Sequence, residues 1–226
     1  EFRRVLFRSA RVGYLSRLGE DAWAQRLRAL WQAEGLDTRA VISDPQAPTG
    51  LYFVSHDAQG HHFSYARAGS AASRMQPQDL QGPWQELIAH SHWLHVSGIS
   101  MAISESARDT VLEAMRQARL AGTQVAFDTN LRLNLWPLDL ARASIEQALP
   151  RCDLLLPSLE DMMQLTGLKD PEAILDWCHD HGAVHVVLKM GAQGALISQG
   201  EVRNWIPAMQ VKALDATGAE IGRAHV

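Results

Sequence analysis

The sequence predicts an α/β protein, with a mainly parallel sheet covered by helices on both faces and a smaller antiparallel sheet set apart from it. From Trp93 onward, short apolar and β-branched runs alternate with helical runs, the pattern left by crossover connections between parallel strands. Residues 40–66 instead hold three short runs with only turns between them. Four polar or glycine-containing clusters, residues 128–132, 157–161, 189–194 and 215–219, come directly after predicted strands. Ligands of such sheets bind beyond the carboxyl ends of the strands, so these clusters are expected to converge on one edge.

Taken in order, residues 11–16 read as a strand ending in a turn at Arg17-Leu-Gly19. Asp21 caps a helix whose Trp23, Leu27, Leu30 and Trp31 recur at helical spacing, and Gly35 stops it. Residues 40–43, 50–56 and 61–66 form the small antiparallel sheet, with 57–60 as a hairpin loop. Strands follow at 93–97 and 124–128, separated by a helix over 105–121 that Gly122 ends. Beyond the Trp136-Pro137 break, residues 138–149 form a helix closed by Pro150, and 153–156 the next strand. Ser158 caps a short helix that Gly167 ends, and Asp170-Pro171 opens another running to about His181. Residues 183–188 are a strand, and 195–198 with 202–205 a hairpin around Gly200. Trp23, Trp31 and Trp177 are expected in the core.

At 226 residues and 46% apolar content the chain can bury a substantial core, and its net charge of −4 gives no general attraction to nucleic acid or anionic membrane. Cys152 and Cys178 form no spaced framework, which suits a reducing cytoplasm and free thiols. No apolar run approaches membrane-spanning length, and no signal-peptide layout opens the chain. The histidine pairs 61/62, 90/92 and 179/181 lack the spacing of metal ligands, and no Walker loop, G-x-S-x-G elbow or H-E-x-x-H is present.

What remains suits phosphoryl transfer, which asks for a phosphate cradle, a metal and a group that orients the attacking hydroxyl. Val211-Lys-Ala-Leu-Asp215-Ala-Thr217-Gly218-Ala219 is an apolar lead-in followed by small residues, whose backbone N–H groups and Thr217 hydroxyl would face an anion. Lys189-Met-Gly191-Ala-Gln-Gly194 is a second such turn. Arg132 and Arg67 offer the paired N–H groups that bind carboxylate or phosphate, and Tyr52 and Tyr65 share the small sheet with Arg67. Asp161, in the first turn of its helix, would reach a metal through water or serve the helix dipole. The glycines could equally be ordinary turn residues, the arginines solvated and the tyrosines core.

Asp215-Ala-Thr-Gly-Ala219 resembles the start of the D-x-T-G-A-G-D signature of the ribokinase-like sugar kinases, the phosphofructokinase-B family. Asp128-Thr-Asn130-Leu-Arg132 with Trp136, Pro-Ser158-Leu-Glu-Asp161 running to Leu165-Thr-Gly167, and the Lys189 turn resemble that family in the same order, over nearly all of residues 10–219. Thr49-Gly-Leu-Tyr52, Tyr65-Ala-Arg67-Ala-Gly-Ser70 and Asn130-Leu-Arg132 are similar to the branch that phosphorylates 2-keto-3-deoxygluconate. The resemblance implies a three-layer α/β/α sandwich with a small β lid. It implies a sugar acid held by Tyr52, Tyr65 and Arg67, with Arg132 on both the substrate and the transferring phosphate. ATP would lie along Asn130, Ser158, Lys189, Gly191, Gly194 and Asp215, with Thr217, Gly218 and Ala219 at the anion hole and Mg2+ near Asp161. A monovalent cation and a homodimer through the lid remain open, as do a neutral-sugar kinase and a non-catalytic sugar-binding protein on the same fold.

Two departures stand out. Ser158 and Asp161 occupy the places of the family's Asn-x-x-Glu, and Glu220-Ile221 those of its Gly and catalytic base Asp. Isoleucine cannot take a proton, so the chain as it stands is expected to be inactive. Arg3-Arg-Val-Leu-Phe-Arg-Ser9 and Glu220-Ile-Gly-Arg-Ala-His-Val226 back-translate into opposite strands of one string resembling a sequencing adaptor. Residues 1–9 and 220–226 are therefore expected to be non-native tails around a partial kinase domain, residues 10–219, from a longer gene product.

Overall fold

The computed structural model describes residues 11–57 and 60–209. Among them the chain divides into two compact units, residues 11–72 and residues 73–209.

The first unit opens with β1 (Ser16–Leu18) and α1 (Ala22–Ala33). Asp21 caps α1 as expected, its Oδ1 accepting from Ala24 N at 2.8 Å while Oδ2 accepts from Thr49 N at 2.7 Å. Thr49 completes the turn by accepting from Gly19 N at 3.1 Å. Strand β2 (Val41–Ser43) pairs in parallel with β1, Ser16 opposite Val41. Strands β3 (Leu51–Asp57) and β4 (Gly60–Ala66) form an antiparallel hairpin.

Two expectations are corrected here. The first strand lies later than residues 11–16, and Gly13 makes only an isolated bridge to Asp37. Residues 40–43 belong with β1 and not with the hairpin, because Val41 packs with Leu18 and Ala24 in one small cluster that Leu27 and Trp31 border. Ala24 is the residue that α1 buries; Trp23, expected in the core, is 48% exposed.

The second unit is built on a six-stranded sheet. Helix α2 (Pro83–Ala89) leads to β5 (Trp93–Ser97), then the short α3 (Gly98–Ala102) and α4 (Glu105–Ala121) return the chain to β6 (Gln124–Asp128). Helix α5 (Leu138–Ala148) precedes β7 (Leu154–Leu155), and α6 (Leu159–Thr166) and α7 (Pro171–Asp180) precede β8 (His185–Lys189). Strands β9 (Ala195–Gln199) and β10 (Val202–Ile206) close the unit as a hairpin. The order is β10-β9-β8-β7-β6-β5, with β5 to β8 parallel and β9 and β10 antiparallel.

Central burial follows from composition. Val125, Ala126 and Phe127 are all buried, so both faces of β6 are covered, as parallel strands require. Helix α4 buries Ala107, Val111, Ala114, Met115 and Ala118, a stripe at helical spacing, between the Ser104 cap and Gly122 in the left-handed region. Helices α2 and α3 were not anticipated. The Gly82-Pro83 start of α2 was a legible signal, and Trp84 and Ile88 are what it buries. Among the described residues no helix is long and apolar enough to cross a membrane.

Candidate functional site

Three of the four clusters meet at the carboxyl ends of β5 to β8. Lys189, the last residue of β8, donates from Nζ to both carboxylate oxygens of Asp128, the last residue of β6, at 3.0 Å each. Both side chains are largely buried, so the pair ties the two strand ends together across the intervening β7. Lys189 N donates to Pro157 O at 2.8 Å, and Ser158 bridges Lys189 in parallel register. The Lys189 ammonium is thus engaged by a carboxylate.

Beyond β6 the chain makes a tight, closely held turn. Asn130 has φ of 37°, the one positive φ among described residues other than glycine. Such a conformation costs on the order of 1 kcal/mol and persists where neighbours fix it. Here they do. Asn130 Nδ2 donates to Ser97 Oγ at 3.2 Å at the end of β5, and Thr129 and Leu131 on either side are buried. Gly98 lets the turn approach, since a Cβ there would stand 2.0 Å from Thr129 O. Half-buried Arg132 follows, its Nη1 donating to Leu131 O at 2.7 Å.

Ser158 caps α6 by accepting from Asp161 N at 3.0 Å. The Asp161 carboxylate is buried, and its Oδ2 accepts from Thr129 Oγ1 and from Leu131 N, both at 3.0 Å. Among the described residues no group of three or more His, Cys, Asp or Glu could hold a metal ion. A nucleotide-borne Mg2+ needs no such cage, because it keeps waters and binds chiefly through phosphates.

The tip of the Lys189 turn, Gly191–Gln193, is exposed. Residues Gly191–Gln193 form one turn of 3-10 helix, Met190 N donates to Gly194 O at 2.8 Å, and Gly191 has φ of 57°. Gly194, at φ of 108°, lies so close to β10 that a Cβ would meet Ile206 O at 2.0 Å. Both glycines are thus required by the connection itself, whatever else the turn binds.

In the first unit, Tyr52 and Tyr65 are direct cross-strand partners on the hairpin, and the Arg67 guanidinium lies 4.3 Å from the centre of the Tyr65 ring. The rings are 57% and 45% exposed, which makes this a surface feature and not core packing. Arg67 Nε is buried, with no hydrogen-bond partner among the described residues. Asp215, Thr217, Gly218, Ala219 and Ile221 lie outside the described residues. Sequence reasoning passed over Thr129 and Gly98, whose roles depend on contacts about 30 positions away that no local pattern announces.

A parallel sheet whose strand ends carry an arginine-bearing turn and a glycine-rich turn defines a class, and the comparisons identify it. Residues 4–219 match the model of the pfkB family carbohydrate kinases, and the chain belongs to that family. It is similar to the 2-dehydro-3-deoxygluconokinase of Thermoproteus tenax, with 34% identity over 93% of the chain and 64% of the relative. The fructokinase of Vibrio alginolyticus is 29% identical over 93% of the chain and 67% of its own length. The crystal structure of a PfkB protein from Polaromonas sp. JS666 superposes with a TM-score of 0.86 at 33% identity, covering 93% of the chain and 71% of that structure. The fold is therefore the ribokinase-like α/β sandwich with a mainly parallel central sheet. The chain spans about two thirds of the length of these relatives.

Proposed function

We propose that this sequence belongs to a cytoplasmic kinase that transfers the γ-phosphoryl group of ATP to a sugar acid, 2-keto-3-deoxygluconate, at its 6-hydroxyl. The observation that carries the reading is the closely held turn after β6, which carries Arg132 just beyond the carboxyl end of that strand. A guanidinium there offers paired N–H groups to the acceptor and to the phosphate as charge shifts during transfer. Arg67, held over Tyr65 beside Tyr52, suits the carboxylate and the sugar face.

The nucleotide is assigned to Asn130, Ser158, the exposed turn with Lys189, Gly191 and Gly194, and the Asp215-Ala-Thr217-Gly218-Ala219 segment. ATP with Mg2+ supplies the phosphoryl group and neutralises its charge; the chain's own part is to orient the acceptor and to line the phosphates with N–H groups. Ile221 stands at the place of the family's proton acceptor, so the chain carrying it is proposed to transfer no phosphate at a useful rate.

ADP release coupled to a spectrophotometric signal tests both statements, on the complete gene product and on the 226-residue chain. Turnover of 2-keto-3-deoxygluconate by the gene product alone is expected. Turnover of fructose or ribose with none of the keto-acid would overturn the substrate, and would favour the neutral-sugar reading that the 29% identity to a fructokinase supports.

A further inference from the structure

We infer that Asp161 acts as a positioning residue for Arg132: its carboxylate holds the turn that presents the guanidinium, in place of ligating a metal. The inference rests on the kinase reading for its meaning, but the geometry stands by itself. Asp161 is the third residue of α6, where an acidic side chain commonly turns back to the helix start. Its Oδ2 instead reaches the neighbouring turn, accepting from the Thr129 hydroxyl and the Leu131 backbone N–H, both at 3.0 Å. Two accepted bonds fill the lone pairs of that oxygen. The residue is 9% exposed, Thr129 0% and Leu131 6%, so water does not substitute easily for either bond.

The two bonds bracket Asn130, the residue with positive φ, and the next side chain along is Arg132. Ser97 holds the same turn from β5 through Asn130 Nδ2, and Gly98 bars its approach from that side only if a Cβ is added. Asp161 is therefore the charged strut of a turn that would otherwise relax toward ordinary backbone angles. Ser158 caps the same end of α6 and bridges Lys189, so the helix start that carries the strut also adjoins the end of β8. Loss of the strut should misplace a guanidinium without removing any group that touches nucleotide.

The test compares Asp161→Asn with Asp161→Ala in the complete gene product. An asparagine oxygen still accepts both bonds, while alanine accepts neither. Asp161→Ala is expected to lower kcat on the sugar acid about 30- to 100-fold with the Mg2+ activation midpoint within twofold of wild type. Asp161→Asn should recover at least tenfold of that loss. Equal losses in the two variants, or a rise of tenfold or more in the Mg2+ midpoint, would show a metal ligand and overturn the inference.

A second readout needs no catalysis. Trypsin cleavage after Arg132 in the folded protein should be faster in Asp161→Ala and near wild type in Asp161→Asn, and an unchanged rate in both sinks the strut. Should Asp161→Ala not fold, Thr129→Val removes one donor from the same oxygen and should reproduce a three- to tenfold loss of kcat; no loss counts against the inference. If the wild-type gene product phosphorylates no sugar or sugar acid, the functional reading fails, while the cleavage comparison still decides the strut.

Discussion

At the scale of single residues, the Asp128–Lys189 pair shows how a residue type suggests one role and its neighbour imposes another. A lysine before a glycine-rich turn reads as a phosphate ligand, yet Nζ sits 3.0 Å from both oxygens of Asp128. Removing one partner leaves the other charge largely buried and unpaired, which typically costs more than the pair itself contributes. Asp128→Asn and Lys189→Met are each expected to cost about 2–4 kcal/mol, and the double variant at least about 1 kcal/mol less than their sum. Urea unfolding of the four proteins measures the coupling; strict additivity would deny it. The thiols give a pH-dependent case. Burial pushes Cys152 and Cys178 up from 9.0 to about 12. Well below pH 9 both are protonated whether folded or not and contribute nothing to pH dependence. Between pH 9 and 12 the unfolded chain releases protons that the native one keeps, so stability falls as pH rises, by up to about 1.4 kcal/mol per unit for each thiol. Urea midpoints at pH 8 to 11 should fall less steeply in Cys152→Ala/Cys178→Ala than in wild type; parallel slopes would refute the account.

At the scale of elements, caps set where helices begin, and Asp21 does so while also securing Thr49. Hydrogen bonds from the backbone N–H of Thr49 and then of Ala24 hold its carboxyl below the usual range. Its contribution is therefore present at neutral pH and is lost as pH falls through that lowered value. Asp21→Ala should cost about 1–2 kcal/mol at pH 7 and progressively less in acid, and Asp21→Asn, which keeps the cap to Ala24 but sets its NH2 against the Thr49 N–H, should recover only part of it; thermal melts at pH 7 and pH 3 follow both. This cap was legible in the sequence, as were the Ser158 cap and the Gly122 and Gly167 stops, because capping is chemistry among residues a few positions apart. Strand partners were less so. Residues 40–43 look alike whether they join a hairpin or a parallel pair, and only the packing of Val41 on Leu18 and Ala24 decides it. The same limit applies to the candidate site. Arg132, Lys189 and Asp161 could be picked out by residue type at strand ends, but that Lys189 binds Asp128 and Asp161 binds Thr129 depends on neighbours 61 and 32 positions away.

At the scale of the whole molecule, the described sheets differ sharply in what protects them. Strands β6 to β8 lie inside a six-stranded sheet, with Val125, Phe127, Leu155, Val186 and Leu188 at 0% exposure. Their amides should exchange with solvent only when that sheet unfolds. The β3–β4 hairpin has two strands, and Tyr52, Phe53 and Tyr65 on it are 57%, 54% and 45% exposed. An isolated two-stranded hairpin is marginal in water, so its amides should open locally and exchange orders of magnitude faster. Phe53 alternates to the face opposite Tyr52 and Tyr65, and an exposed aromatic there suits a partner surface; a second copy of the protein joined through that face is the assembly we propose. The two ideas separate by concentration. In a monomer, hydrogen exchange at residues 51–56 and 64–66 is fast and independent of protein concentration. In a dimer through the hairpin, the same amides slow as concentration rises through the dissociation constant while those of β6 to β8 are unmoved, because linkage stabilises what the partner covers. Mass spectrometry of exchanged peptides from 1 to 100 μM, concentrations spanning about 3 kcal/mol of binding free energy at one site, makes the comparison. Flat exchange in the hairpin across that range would rule the dimer out.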